Sequence, residues 1–162
     1  MRRFVVVGKP IPKGNKKPIR RKNGKLGVRE ANPEAAVFGQ LVKIISAKSA
    51  REQGRKVLAG PTAVQVHFEM PKPKSKLPDI REGWPAAKPD SDKLVRTVLD
   101  GLSNVQYEDD NGICWLLVTK RYVLDGQPPA TTIQVDPLRP FHEATVPCFD
   151  CPRLKEMVKD EL

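Results

Sequence analysis

Nine residues near the middle of the chain limit its fold most tightly. Across Thr62–Met70, Val64, Val66, Phe68 and Met70 alternate with Ala63, Gln65, His67 and Glu69. A period of two describes a strand with one buried face and one polar face, and His67 falls on the polar one. Such a strand needs a layer to cover it. Helical periodicity supplies candidates on either side. Asn32-Pro33-Glu34 reads as a helix start, with Asn as cap, Pro at the first helical position and an acid in the first turn. Val37, Phe38, Leu41, Ile44 and Ile45 follow at helical spacing, which predicts a helix over about 33–52 with that face buried. Ser91–Ser103 reads as a second helix, capped by Ser91 or Asp92 and buried along Leu94, Val95, Val98, Leu99 and Leu102.

Three more strands are expected, at Phe4–Val7, Ile113–Val123 and Thr131–Val135, the last after an Asp125-Gly126 turn. Ile113–Val123 starts apolar on both faces, so it is expected at the centre of the sheet, with Cys114 and Trp115 in the core. The order β-α-β-α-β-β describes an α+β fold, with a small mixed β-sheet of about four strands and two main helices. One domain over residues 1–136 is expected, followed by an irregular tail at 137–162 with a candidate short helix at Pro152–Leu162.

The 162 residues carry a formal net charge of +10. Residues 1–30 hold eleven Lys and Arg against one acid, Glu30, so the whole surplus lies there. Ile11–Glu30 has few large apolar residues and reads as a loop or arm within a basic segment at 9–30. A second basic stretch, Pro71–Pro89, is a proline-rich connection with Lys72, Lys74, Lys76, Arg81 and Lys88. Asymmetry this sharp points to a polyanionic partner. Trp84, within that loop, suits equally stacking on an unpaired base or packing within the loop.

Other classes are excluded. The longest apolar run, Ile113–Val118, is six residues, against roughly 20 for a membrane helix. Phe4–Val7 is too short to be the apolar region of an export signal. Three cysteines do not make a disulfide framework, and a reducing cytoplasm suits them. Cys148 and Cys151 form one CxxC, with His142 upstream. Zinc sites take four ligands as a rule, so no zinc is expected.

Beyond residue 31 the acids are grouped. Asp90 and Asp92 open the second helix, and Glu108-Asp109-Asp110 precedes the next strand. Carboxylates are hard ligands suited to Mg2+, and the positive end of a helix favours acids at Asp90 and Asp92. A third carboxylate from Asp109 or Asp110 would complete a cup, provided residues 104–109 run back toward the helix start. Asp92, Arg96 and Asp100 stand at i, i+4 and i+8, either as an intrahelical ion-pair ladder or with Arg96 or Lys93 facing a phosphate. Taken singly, each acidic group also reads as a cap or a turn. Together on a basic chain they suit phosphodiester cleavage.

The series Lys88-Pro-Asp90-Ser-Asp92-Lys93-Leu94, Val98-Leu99-Asp100-Gly101-Leu102, Asp109-Asp110-Asn111-Gly112-Ile113 and Lys120 resembles the RusA family of Holliday-junction resolvases. Gly8-Lys9-Pro10-Ile11-Pro12-Lys13-Gly14 is similar to that family's start, and the likeness runs over about 1–136. It implies a RusA-like fold and a homodimeric, Mg2+-dependent endonuclease (with Mn2+ as a substitute ion) that nicks two opposing strands of a four-way DNA junction. It implies a bacterial or bacteriophage source. The essential acids fall on Asp90, Asp92 and Asp110, with Asp109 beside them as a further metal ligand. Two positions depart from the family pattern. Lys93 stands where Asn is frequent, and Arg96 where a functional Lys is frequent; a guanidinium cannot donate a proton as an ammonium can. Lys93, Arg96 or Lys120 is then expected to neutralise phosphate charge. Lys9, Lys13, Lys16, Lys17, Arg20, Arg21, Lys22, Lys72, Lys74, Lys76 and Lys88 are expected along the DNA backbone. Two alternatives stay open: a non-enzymatic basic nucleic-acid binder, and a nuclease of broader branched-DNA specificity.

Overall fold

A computed structural model describes residues 2–14, 16–20, 23–30, 32–73, 84–85, 88–124 and 126–138. Strand β1 spans Arg2–Val7, β4 Thr62–Met70, β5 Ile113–Tyr122 and β6 Ala130–Pro137. They form one mixed sheet in the order β1-β6-β4-β5. β6 runs antiparallel to both β1 and β4, while β4 and β5 are parallel. Helix α1 covers Pro33–Glu52 and α2 Ser91–Leu102. The α+β architecture matches expectation.

Both helices lie on one face of the sheet. Phe4 and Val6 of β1, Val64, Val66 and Phe68 of β4, and Ile133 and Val135 of β6 point at Phe38 and Val42 of α1 and at Leu94, Val98 and Leu102 of α2. Full burial of such a side chain contributes about 1.5–3 kcal/mol, so this layer dominates the stability. Asn32 caps α1, its Oδ1 accepting from the Glu34 N–H at 3.2 Å.

Three expectations are corrected. The first concerns α1, whose buried residues are Ala35, Phe38, Val42 and Ser46; Val37 and Ile44 are 71% and 64% exposed and Leu41 36%. Small residues let α1 lie close to α2, and this turns the larger stripe outward. The second concerns β5, which is an edge strand with only β4 beside it. Cys114 is exposed there, and Trp115, opposite Ala63, lies on the sheet face away from the helices.

The third is the basic arm. Strands β2 (Lys16–Arg20) and β3 (Leu26–Glu30) pair antiparallel within it, in register from Lys16 with Glu30 to Arg20 with Leu26. Asn23-Gly24, with Gly24 at φ +77°, is the turn signal that announces this hairpin. Arg21, Lys22, Lys74, Lys76, Asp125 and the segment 139–162, with His142, Cys148 and Cys151, lie outside the described residues.

α1 and α2 cross closely. A Cβ on Gly101 would stand 2.7 Å from the Gly39 carbonyl oxygen and 3.0 Å from Val42 Cβ. A Cβ on Gly39 would meet only Thr97, at 3.7 Å or more. The two glycines should therefore respond differently to the same change. Gly101→Ala is expected to cost about 1–3 kcal/mol through overpacking. Gly39→Ala is expected to be neutral or to stabilise by up to about 1 kcal/mol, the helix-propensity difference. Urea denaturation of both variants checks this, and equal effects would contradict the crossing.

Candidate active site

Parallel pairing of β4 with β5 makes α2 the crossover between them. The helix is twelve residues long, about 18 Å, and runs back against β5. Its N-terminal end is held by β5 itself: Lys120 Nζ donates to the Pro89 carbonyl at 3.0 Å. The N-cap residue is Asp90, not the expected Ser91 or Asp92, and its side chain makes no capping bond. One of its oxygens, Oδ2, instead lies 3.3 Å from Lys93 Nζ. Asp92 is exposed in the first turn. The sequence-derived residues Asp90, Asp92, Lys93 and Lys120 thus share the first turn of α2 and the end of β5.

Asp109 and Asp110 belong to the opposite end. Asp109 caps a single 3₁₀ turn, Asp110–Gly112, through Oδ1, which accepts from the Asn111 N–H at 3.0 Å. The next residue, Ile113, begins β5. The connection from α2 stays at the helix C-terminus. Tyr107 Oη donates to the Leu99 carbonyl at 3.0 Å, the Asn104 N–H donates to the Tyr107 carbonyl at 2.8 Å, and Asn104 turns the chain at φ +62°. Residues 104–109 therefore do not run back toward the helix start. The nearby carboxylate is Asp100, in the last turn of α2, whose charge is felt by Asp110. Ten residues of helix, about 15 Å, separate Asp90 from Asp100.

The two ends differ in electrostatics. The hydrogen bond from the Asn111 N–H, with one shared with Asp110, holds the Asp109 carboxyl below its ordinary value. Asp110, although exposed, is pushed above it, first by the bond shared with Asp109, then by a slight loss of solvation and by repulsion from Asp109 and Asp100. Tyr107, buried beside them, has its phenol pushed upward, first by burial. The Asp109–Asp110 pair thus retains a proton more readily than two separate carboxyls would.

The ladder Asp92-Arg96-Asp100 does not form. Asp100 pairs with Lys13, whose N–H also donates to the Lys93 carbonyl at 2.9 Å, so the basic segment is strapped across α2. The sequence places Asp100 in that ladder and in the family series, with no sign of a basic partner from the N-terminal segment. Its distance from Lys13, 87 positions along the chain, hid the pairing. Arg96 is exposed and has no ion pair among the described residues. Lys9 and Lys88 line a cleft of about 280 Å3 with Met70, Pro89 and Tyr122, near the Asp90 end.

Among the described residues, no group of three or more His, Cys, Asp or Glu side chains is placed to hold a metal ion. The donor chemistry nonetheless fits Mg2+, which takes one or two carboxylates and fills its octahedron with water and substrate phosphate. Each acidic pair meets that requirement.

A family model described as endodeoxyribonuclease RusA matches residues 8–136. The chain belongs to the RusA family. It is thus an endodeoxyribonuclease of the Holliday-junction-resolving class. The uncharacterized protein YqaN of Bacillus subtilis (strain 168) is 30% identical over 128 residues, which cover 74% of this chain and 87% of that protein. No helix among the described residues is long and apolar enough to cross a membrane.

The coupled carboxyls give a test of the geometry. In metal-free protein, carboxyl NMR titration should show Asp109 losing its proton below, and Asp110 above, the ordinary Asp range. Asp109→Asn removes the repulsion and the shared proton, so Asp110 should then ionise at lower pH. An Asp110 titration unchanged by Asp109→Asn would show that the two side chains do not interact.

Proposed function

We propose that the chain is a Mg2+-dependent resolvase of four-way DNA junctions, acting as a homodimer that nicks two opposing strands symmetrically. Mn2+ would substitute, as another hard divalent ion. Its setting would be bacterial or bacteriophage DNA in the cytoplasm. The family match carries this reading, because residues 8–136 include both acidic pairs, α2 and the basic hairpin.

Asp90 and Asp92 would hold an ion at the start of α2, and Asp110, with Asp109, would offer a second carboxylate pair at the opposite end of the helix. When bound, Mg2+ would polarise the phosphate and lower the pKa of a water. The chain's own residues do the rest. Lys120 fixes the backbone at Pro89 and so sets where Asp90 points. Lys93, within 3.3 Å of Asp90, balances charge on the carboxylate in free protein and can turn to a phosphate when DNA arrives. Arg96, one turn on, adds a fixed cation but no transferable proton. Two cuts require two sites, and a C2 dimer supplies them.

The basic residues position the DNA without reading it. Lys16, Lys17 and Arg20 stand on β2, and Lys9, Lys72 and Lys88 lie in connections outside the sheet and helices. Their contribution should be salt-dependent. Lys16→Ala and Lys17→Ala are each expected to weaken junction binding alike for every sequence and to reduce the slope of log K against log salt by about 1. Fluorescence anisotropy at several salt concentrations measures this; an unchanged slope would place the hairpin away from DNA.

The catalytic assignment is tested with Asp90→Asn, Asp92→Asn and Asp110→Asn. Each should reduce junction cleavage in Mg2+ by more than about 100-fold, as expected for lost metal support, while gel-shift binding persists. Cleavage surviving Asp110→Asn would remove that residue from the site. Chelation should abolish cleavage and leave binding. Equal cutting of a four-way junction, a flap and linear duplex would replace the resolvase reading with a nuclease of broader specificity.

A further inference from the structure

Three strands of the sheet end on the same side. Val7 of β1 lies opposite Ala130 of β6, Ala130 lies opposite Glu69 of β4, and Met70 lies opposite Tyr122 of β5. β1, β4 and β5 therefore present their carboxyl ends together. α2 starts there too, where Lys120 of β5 holds the Pro89 carbonyl. The crevice outside the carboxyl ends of such strands is where open sheets with crossover helices take ligands. The cleft of about 280 Å3 beside Asp90 lies in that crevice.

Its lining is uneven. Met70, Pro85 and Tyr122 are buried and form an apolar floor. Four of the lining residues are prolines, which have no N–H to donate and a fixed φ. The walls are thus preformed, and they offer flat apolar surface rather than hydrogen bonds. Lys9 and Lys88 are exposed and bring positive charge to the rim. Lys88 stands two residues before Asp90, a carboxylate proposed above to hold the ion. Small-molecule sites run from roughly 300 to 1,000 Å3, so this cleft suits one ring system rather than a base pair. An apolar slot with an aromatic wall and cations at its mouth has the chemistry of a nucleobase with its phosphate outside. Drawing a base from the stack costs least where stacking is already interrupted, as at the branch point of a junction.

We infer that this cleft receives one nucleobase unstacked at the branch point, with Tyr122 against its face and Lys9 and Lys88 on the neighbouring phosphates. This rests on the junction reading above and adds how the strand is held beside Asp90. Because the walls give faces and not directed donors, the cleft requires a base without selecting which one.

The test uses four-way junctions that each carry one abasic nucleotide near the branch point. Binding is followed by fluorescence anisotropy in metal-free buffer, where no strand is cut. One abasic position should weaken wild-type binding by about tenfold, whichever base stood there. Tyr122→Leu keeps an apolar side chain and removes the ring. With that variant the same abasic position should cost less than about twofold, while Tyr122→Phe should behave as wild type. Each cost compares intact with abasic DNA on one protein, so a general loss of stability does not mimic the effect. An equal abasic cost for wild type and Tyr122→Leu, or no sensitive position, overturns the cleft and leaves the junction reading standing. A cost removed by Trp84→Leu and not by Tyr122→Leu also overturns it, because the base then stacks on the loop. Wild type that binds a four-way junction no better than linear duplex overturns both readings.

Discussion

Parallel pairing of β4 with β5 is the constraint on which the rest of the molecule depends. Two parallel neighbours cannot be joined by a tight turn, so the chain must travel the length of the sheet again before β5 can begin. α2 makes that journey. Its apolar stripe closes the core over Val64, Val66 and Phe68, and its two ends are fixed by the ends of the strands it connects. Asp90 is therefore tied to the Lys120 end of β5, and Asp110 to the Ile113 end. The close crossing of Gly101 with Gly39 then sets where α1 lies. One topological demand orients both helices and both acidic groups.

The charge distribution follows from the same frame. A net charge of +10 draws in a polyanion, yet the crossover helix carries carboxylates that would repel one. The structure manages this conflict within the free protein. Lys93 balances Asp90, and Lys13 balances Asp100. Lys13 also straps the N-terminal segment to α2. That contact ties the segment just before the basic hairpin to the helix that bears the acids.

Much of this was legible in the residues. The alternation in Thr62–Met70, the Asn32 cap and the stripe from Leu94 to Leu102 each reflect short-range periodicity, and each element appears where expected. The errors share a cause. Apolar content at the start of β5 suggested a central strand, but strand order depends on which partners arrive from elsewhere. Val37, Leu41 and Ile44 are as apolar as Phe38 and Val42. Which set turns inward was decided by glycine contacts between α1 and α2, more than sixty positions apart. The hairpin in the basic arm was signalled by Asn23-Gly24 and was obscured by the surrounding charge.

By itself, the sequence determined the kinds of element, the grouping of acids into two pairs, the concentration of basic charge before residue 31 and the RusA family. These are local or compositional properties, carried by residues within a few positions of one another. Tertiary structure alone decided that the pairs occupy opposite ends of α2, that Lys13 rather than Arg96 meets Asp100, and that an apolar stripe of α1 is left outside the core. Each of those depends on which surfaces meet when parallel strands force a crossover. Periodicity along one segment carries no information about the segment packed against it.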